Sequence, residues 1–158
     1  MTVVARSSGR IHASSWHETH REATDLAERL QSLGPWTGMI VITRGGLVPA
    51  AIVARVLGIR LIDTICLASY EREVKGPVQT IKAAPAEIGE GEGWLLIDDV
   101  ADSGATAEEA RRQLPKAHYA ALYVKPAARP FVDTYLSEVG QDVWIDFPWD
   151  RDPHVPDR

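Results

Sequence analysis

The segment Trp94 to Thr106, WLLIDDVADSGAT, determines how the rest of the chain is interpreted. It begins with a short apolar run, Trp94 to Ile97, which is typical of a buried strand. The residues after it, AEEARRQL, favour a helix. Asp98, Asp99 and Asp102 lie between these two parts. The segment therefore predicts a strand that ends in an acidic turn, from which a helix begins.

The acidic turn combines groups that prefer different ligands. Ser103, Gly104 and Thr106 offer hydroxyl groups, room for close approach and N–H groups at the positive end of a helix, which suit a phosphate. Carboxylates repel phosphate, so Asp98 and Asp99 must face ribose hydroxyls or a Mg²⁺ that bridges substrate oxygens. A lone Asp-Ser-Gly triplet is more commonly a helix cap with solvated charges. A phosphorylated sugar with a metal explains the whole string.

Apolar runs alternate with helical segments on both sides of this turn. Leucines at helical spacing predict a helix from Ser14 to Leu33, with Ser15 and Glu18 as a capping box, and LVPAAIVARVL predicts a buried helix ending at Gly58. Strands are predicted at 39–43, 61–67, 94–97 and 119–124, with 143–147 as a candidate for the last, and most of 71–93 as a loop. This alternation is typical of an α/β fold with a mostly parallel central sheet flanked by helices. We expect residues 1–158 to form one domain.

Composition excludes several classes of protein. The net charge of −5 argues against nucleic acid as a partner, because such proteins carry a basic excess. The single cysteine, Cys66, excludes an intrachain disulfide. No apolar run reaches the ~20 residues of a membrane span, and residues 1–10 lack the apolar core of a secretory signal, so we expect a cytoplasmic protein. His17 and His20 lack the further ligands of a zinc site.

A second turn, Thr43-Arg44-Gly45-Gly46, also lies where a predicted strand becomes a helix. Two glycines allow backbone conformations that are closed to other residues. An isolated Arg-Gly-Gly is most simply a tight turn between strand and helix. Its position beyond a parallel strand places it at the same edge of the sheet as the acidic turn, where ligands bind in open α/β sheets.

Several strings, in this order along the chain, resemble the type I phosphoribosyltransferase family, and within it the bacterial xanthine-guanine branch. They are TRGGLVP (Thr43 to Pro49), GEGWLLIDD (Gly91 to Asp99), IDDVADSGAT (Ile97 to Thr106) and VKPAARP (Val124 to Pro130), and the resemblance extends from Ser14 to Asp150. It implies the family fold with a mobile loop, or hood, over the site. It also implies transfer of ribose phosphate from phosphoribosyl pyrophosphate (PRPP) to xanthine, guanine or hypoxanthine, giving XMP, GMP or IMP plus pyrophosphate, with Mg²⁺ as cofactor. Ser103 replaces the family's usual Thr, and Ala105 a frequent Gly.

The resemblance also implies roles for individual residues. Asp102 would be the catalytic base and Asp99 the metal ligand. PRPP and pyrophosphate would be bound by Arg44, Gly45, Gly46, Asp98, Asp99, Val100, Ala101, Asp102, Ser103, Gly104, Ala105 and Thr106. A non-proline cis peptide is a known feature of the pyrophosphate turn in this family, and we predict one at Arg44-Gly45.

The nucleobase is expected to be recognised by residues 125–150. Lys125 ends a predicted strand and would donate to a 6-oxo group, Trp144 would stack on the purine, and Ile145 would offer its main-chain carbonyl, with Asp102 on the imidazole side of the base. Taken singly, Lys125 is more simply a solvated charge and Trp144 a core aromatic residue. These residues fit any 6-oxopurine, so the preference among the three bases stays open.

The remaining expectations also come from the resemblance. Residues 71–87 would be the flexible catalytic loop, with Lys75 or Lys82 contacting pyrophosphate. Relatives suggest a homotetramer, with Trp16 and Trp36 as candidates for subunit contacts, and loose attachment to the inner membrane is seen in some of them. The competing interpretation is a non-catalytic regulator of the same fold that binds PRPP or a nucleotide as an effector.

Overall fold

A computed structural model describes residues 10–68 and 78–150 of the chain. In chain order its elements are β1 (Ile11–Ala13), α1 (Trp16–Gln31), β2 (Gly38–Thr43), α2 (Leu47–Leu57), β3 (Ile62–Ala68), β4 (Gln79–Lys82), β5 (Trp94–Ala101), α3 (Gly104–Gln113), β6 (His118–Val124), β7 (Thr134–Glu138) and β8 (Trp144–Asp146). Within the described residues, the main sheet has six strands in the order β4-β3-β2-β5-β6-β7. All neighbours in it are parallel except β3 and β4. The predicted α/β fold with a mostly parallel sheet is confirmed.

Helices cover both faces of the main sheet. Met39 and Val41 of β2 pack with the buried faces of α1 and α2, whereas Ile40 and Ile42 of the same strand pack with α3. Alternate residues of a strand point to opposite faces, so a strand covered on both sides must be apolar throughout. This explains why the central strands appear in the sequence as continuous apolar runs.

The helix boundaries predicted from local chemistry are confirmed for α1 and α2. The N–H of Glu18 donates to Ser15 Oγ at 3.2 Å, and the N–H of Ser15 donates to Glu18 Oε2 at 2.9 Å, which completes the capping box. Helix α2 ends at Gly58, whose φ of 69° lies in the left-handed region that favours glycine. Both signals depend on residues close in sequence.

Some predicted boundaries were wrong at the acidic turn and in the segment before it. Strand β5 continues past Ile97 to Ala101, because Asp98, Val100 and Ala101 still pair with β6. Helix α3 begins at Gly104 rather than after Thr106. The predicted loop contains β4, which pairs antiparallel with β3, and a 3-10 turn at Ala86–Ile88.

Two short strands, β1 and β8, pair in parallel with each other and place the predicted base-recognition residues. Ile11 lies opposite Trp144, and His12 opposite Ile145. Strands β1 and β7 were not predicted. Trp16 is 59% exposed, whereas Trp36 is partly buried, packs against the core and donates its ring N–H to the carbonyl of Leu30. A role for either in subunit contacts stays a prediction.

In the described part of the chain, no helix combines the length and apolar character needed to cross a membrane.

Candidate active site

Two buried aspartates lie side by side in β5, close to its carboxyl end. Asp98 is 7% exposed and Asp99 9% exposed. Asp98 Oδ1 accepts from the N–H of Asp99 at 2.9 Å, and its Oδ2 accepts from the hydroxyl of Tyr119 at 3.3 Å. Asp99 Oδ1 accepts from the N–H of Val100 at 2.7 Å. Hydrogen bonds therefore hold both carboxylates in place.

Burial raises the pKa of the Asp98 carboxyl well above its usual value, and the neighbouring charge of Asp99 adds to the effect. Burial also raises the pKa of Asp99, with a further contribution from the charge of Asp150. Within residues 10–68 and 78–150, neither carboxylate forms an ion pair with lysine or arginine. Buried carboxylates without a cationic partner are suited to a cation or to ligand hydroxyls.

The predicted phosphate loop begins directly after β5. Ser103 is the N-cap of α3, and its side chain accepts a long hydrogen bond of 3.5 Å from the N–H of Thr106. Gly104 approaches the next loop so closely that an added Cβ would lie 2.8 Å from the carbonyl oxygen of Ala127. Ser103 and Thr106 line a cavity of about 230 Å³ together with Asp98, Val100, Ala101, Asp102, Ala107, Tyr119 and Trp144. Ala105 lies instead on the outer side of α3, beside Val78.

The glycine turn between β2 and α2 lies directly against Asp99. A Cβ built on Gly45 would clash with the Asp99 carboxylate, and one on Gly46 would lie 2.6 Å from the carbonyl oxygen of Ile97. The turn contains a non-proline cis peptide, but between Thr43 and Arg44. The prediction at Arg44-Gly45 was therefore wrong by one residue. Arg44 is exposed beside this turn.

The predicted purine-binding residues meet in one cavity of about 210 Å³, lined by Asp99, Val100, Asp102, Lys125, Trp144, Ile145, Phe147 and Asp150. Lys125 is 4% exposed and donates to Asp102 Oδ2 at 2.8 Å, so it is not the solvated charge of the simpler interpretation. Trp144 is 49% exposed and is not a core residue. This cavity shares Val100, Asp102 and Trp144 with the cavity at the phosphate loop, so the two cavities adjoin each other.

A wider groove of about 640 Å³ lies at the opposite edge of the main sheet, between α1, the Trp36 segment and the start of β3. Its lining includes Gly34, Pro35, Gly58 and Leu61, but no carboxylate. Size alone would favour this groove. Chemistry favours the two smaller cavities, because titratable groups and hydroxyls converge there.

Two lysines were candidates for contacting pyrophosphate from the catalytic loop, and the structure describes one of them, Lys82. Lys82 is paired with Asp63 and also donates to the carbonyl oxygen of Thr64 at 2.7 Å. These contacts hold β4 against β3. Lys75, the other candidate, lies outside the described residues, as do residues 71–77 of the predicted flexible loop.

Tyr119 and Gln141 contact the site but were missed in the sequence. Tyr119 is a fully buried strand residue whose hydroxyl reaches Asp98. Gln141 lies between β7 and β8 and contacts Asp102. Alternation along β6 could have placed Tyr119 on the α3 side of the sheet. For Gln141 the only signal was its distance of three residues from Trp144.

The chain belongs to the phosphoribosyl transferase domain family, whose model matches residues 14–153. A xanthine-guanine phosphoribosyltransferase from Desulfotalea psychrophila is 52% identical over 144 residues, covering 90% of this chain and 88% of the relative. One from Nitratidesulfovibrio vulgaris, strain Hildenborough, is 49% identical over 143 residues, covering 90% and 86%. The crystal structure of a purine phosphoribosyltransferase from Pyrococcus horikoshii superposes with a TM-score of 0.75, covering 93% of this chain and 99% of that one at 24% identity. This structural likeness supports the fold.

Proposed function

We propose that the protein is a purine salvage phosphoribosyltransferase that converts xanthine, guanine or hypoxanthine and PRPP into XMP, GMP or IMP and pyrophosphate. The proposal is carried by one observation. The cavity lined by Lys125, Trp144 and Ile145 adjoins the cavity at the phosphate loop, and Asp102 lines both. Relatives about half identical to this chain over most of its length support the same activity.

In the proposed complex, PRPP spans the carboxyl edge of the sheet. Its 5′-phosphate would bind at Ser103 to Thr106, at the N-terminus of α3, where the positive end of the helix dipole favours an anion. Asp98 and Asp99 would accept hydrogen bonds from the ribose hydroxyls. Arg44 and the main chain of Gly45 and Gly46 would bind pyrophosphate on the other side of Asp99, which Gly45 already contacts.

Mg²⁺ would be held by the Asp99 carboxylate. Within the described residues no group of three or more His, Cys, Asp or Glu side chains forms a metal site, so the other ligands of Mg²⁺ would come from PRPP and water. The carboxylate supplies a hard oxygen ligand of the kind that Mg²⁺ prefers, and its buried charge lacks a lysine or arginine partner in the described part of the chain. When bound, the ion would neutralise charge on the departing pyrophosphate. Asp99 would hold it, and the close contact with Gly45 fixes where that carboxylate lies.

The purine would be recognised by groups on three segments: Asp102 after β5, Lys125 after β6, and Trp144 and Ile145 in β8. One N–H of the Lys125 ammonium is taken by Asp102, which leaves donors for the 6-oxo group of the base. Trp144 would stack on the ring, and the main-chain carbonyl of Ile145 would accept from the base edge. During transfer, the C1′–O bond to pyrophosphate breaks, the purine N9–C1′ bond forms, and the proton on N7 passes to the Asp102 carboxylate.

Replacing Asp102 with asparagine tests this assignment. Asparagine keeps the size of the side chain but cannot take the proton, so we expect kcat to fall by about 10²- to 10⁴-fold with a much smaller change in KM for PRPP. Steady-state rates with the three bases, PRPP and Mg²⁺ measure both quantities. Thermal denaturation controls for loss of the Lys125 ion pair. Undiminished turnover in the variant would refute the assignment, and a wild-type chain that binds PRPP without turnover would favour the regulator.

We further propose that the enzyme works in the cytoplasm as a homotetramer, as the family resemblance suggests, with any membrane association limited to the periphery of the inner membrane. Residues 1–158 would form one phosphoribosyltransferase domain, and most of the residues that recognise the base would lie within the segment 125–150. Sedimentation equilibrium at micromolar concentrations would measure the oligomeric state.

A further inference from the structure

The side chain of Gln141 connects the two loops that carry Asp102 and Lys125. Gln141 Oε1 accepts from the N–H of Ala127 at 3.0 Å, in the turn that follows Lys125. Gln141 Nε2 donates to the carbonyl oxygen of Asp102 at 3.3 Å and to its Oδ1 at 3.2 Å. The Gln141 amide, in the segment that precedes β8, therefore joins the segment after β5 to the segment after β6.

These partners fix the orientation of the Gln141 amide. The N–H of Ala127 can only donate, so the amide oxygen must face it and the NH₂ group must face Asp102. The NH₂ group is itself only a donor. Lys125 Nζ, also only a donor, binds the other carboxylate oxygen, Oδ2, at 2.8 Å. Both oxygens of Asp102 are thus bound by donors, which together fix the plane of the carboxylate.

We propose that Gln141 is a positioning residue that orients the Asp102 carboxylate for removal of the proton from the purine. The inference rests on the proposed function, because it gives Gln141 a role in the step assigned to Asp102. Lys125 alone leaves the carboxylate free to rotate about its Cβ–Cγ bond, whereas a second donor on Oδ1 prevents that rotation. A catalytic group out of place by about 1 Å loses about 10²-fold in rate.

A purely structural role for Gln141 predicts a different response to substitution of this residue. If Gln141 only tethered the turn after Lys125, any residue that accepts from the N–H of Ala127 would replace it. Glutamate has the same length and keeps that acceptor, but places a second oxygen against Oδ1 of Asp102. Two negative groups at this distance repel each other and turn the Asp102 carboxylate away.

The experiment compares Gln141→Glu, Gln141→Ala and the matched control Asp142→Ala. Asp142 is the next residue, is exposed, and is ion-paired with Arg10 at 3.8 Å. Rates are measured with guanine and xanthine at saturating PRPP and Mg²⁺, together with KM for PRPP and the thermal midpoint. We expect Gln141→Glu and Gln141→Ala to lose about 10- to 100-fold in kcat, with KM for PRPP within about threefold of wild type and little change in Tm. Asp142→Ala should behave as wild type.

The outcomes separate this inference from the proposed function. Wild-type kcat in Gln141→Glu, with or without a loss in Gln141→Ala, would overturn the positioning role alone, as would an equal loss in Asp142→Ala. A wild-type chain that turns over none of the three bases would overturn the proposed function and this inference with it. Loss of kcat in both Gln141 variants, with a normal control, would support the inference.

Discussion

Replacing Gly45 with alanine should damage the PRPP site more than it damages the fold. A Cβ built on Gly45 would lie 2.5 Å from both Cγ and Oδ2 of Asp99. Atoms of this kind in ordinary contact are about 3.5 Å apart, so the carboxylate or the turn must move by about 1 Å. Asp99 is buried and held by a 2.7 Å hydrogen bond from the N–H of Val100. Close-packed surroundings oppose that movement.

The size of the effect follows from this displacement. Misplacing a group at a reacting centre by about 1 Å costs about 10²-fold in rate, or about 2.7 kcal/mol. Overpacking a filled site costs about 1–3 kcal/mol of folding stability. For a chain of this length, about 2–4 °C of thermal midpoint is lost per kcal/mol. We therefore expect Gly45→Ala to lower kcat/KM for PRPP by about 30- to 100-fold and Tm by about 2–12 °C.

Gly58→Ala is the matched control. Gly58 has a φ of 69° and nothing within 4 Å of an added Cβ, so alanine there strains the backbone by about 1 kcal/mol without contacting the site. Kinetics with varied PRPP, well below both midpoints, and scanning calorimetry measure the two effects. The control should lose Tm and keep kcat/KM. A Gly45→Ala enzyme with kcat/KM within about threefold of wild type, or an equal kinetic loss in Gly58→Ala, would refute the reasoning.

Two further predictions concern stability. Tyr123→Phe should lower the free energy of unfolding by about 1–3 kcal/mol, because the hydroxyl donates to Glu22 Oε1 at 2.7 Å and the buried Glu22 Oε2 has no hydrogen-bond partner within the described chain. Urea denaturation measures this loss. The same loss in a Glu22→Leu background would contradict the pairing and assign the effect to the contact of the hydroxyl with His12 Nε2 at 3.1 Å. Hydrogen bonds from Arg112, Gln113 and Thr80 lower the pKa of Glu109 from 4.5 to about 2, so its contribution is present above about pH 4.5 and is lost as pH falls towards 2. Glu109→Gln should therefore be less stable than wild type by about 1 kcal/mol at pH 7, a modest value because the Glu109–Arg112 pair is partly exposed. A difference in stability between the two proteins that stays constant from pH 7 to 2 would argue against this.

Sequence patterns predicted the features that depend on near neighbours. The capping box at Ser15 and the helix end at Gly58 each depend on residues within one helical turn. The apolar runs of β2, β5 and β6 were visible because both faces of the sheet are covered there. The acidic turn and the glycine turn could be assigned to the same edge because parallel strands end there.

The features that were missed depend on partners distant in the chain. Strand β5 was expected to end at Ile97, since aspartate is disfavoured in strands. It continues because β6 offers main-chain partners as far as Val124. Strand β4 is exposed at every residue and only Ile81 in it is apolar, so periodicity could not identify it. Lys125 is buried only because Asp102 lies beside it, a contact across 23 residues that composition does not encode.

The parallel pairing of β1 with β8 joins residues 11–13 to residues 144–146. As the chain is synthesised, the segments that form the phosphate loop and the glycine turn leave the ribosome well before the strand that carries Trp144 and Ile145. Contacts of such large sequence separation form late because closing the long loop costs entropy. The half of the site proposed for the sugar phosphate can thus assemble first, and selection among bases becomes available only when the two ends of the described fold have met.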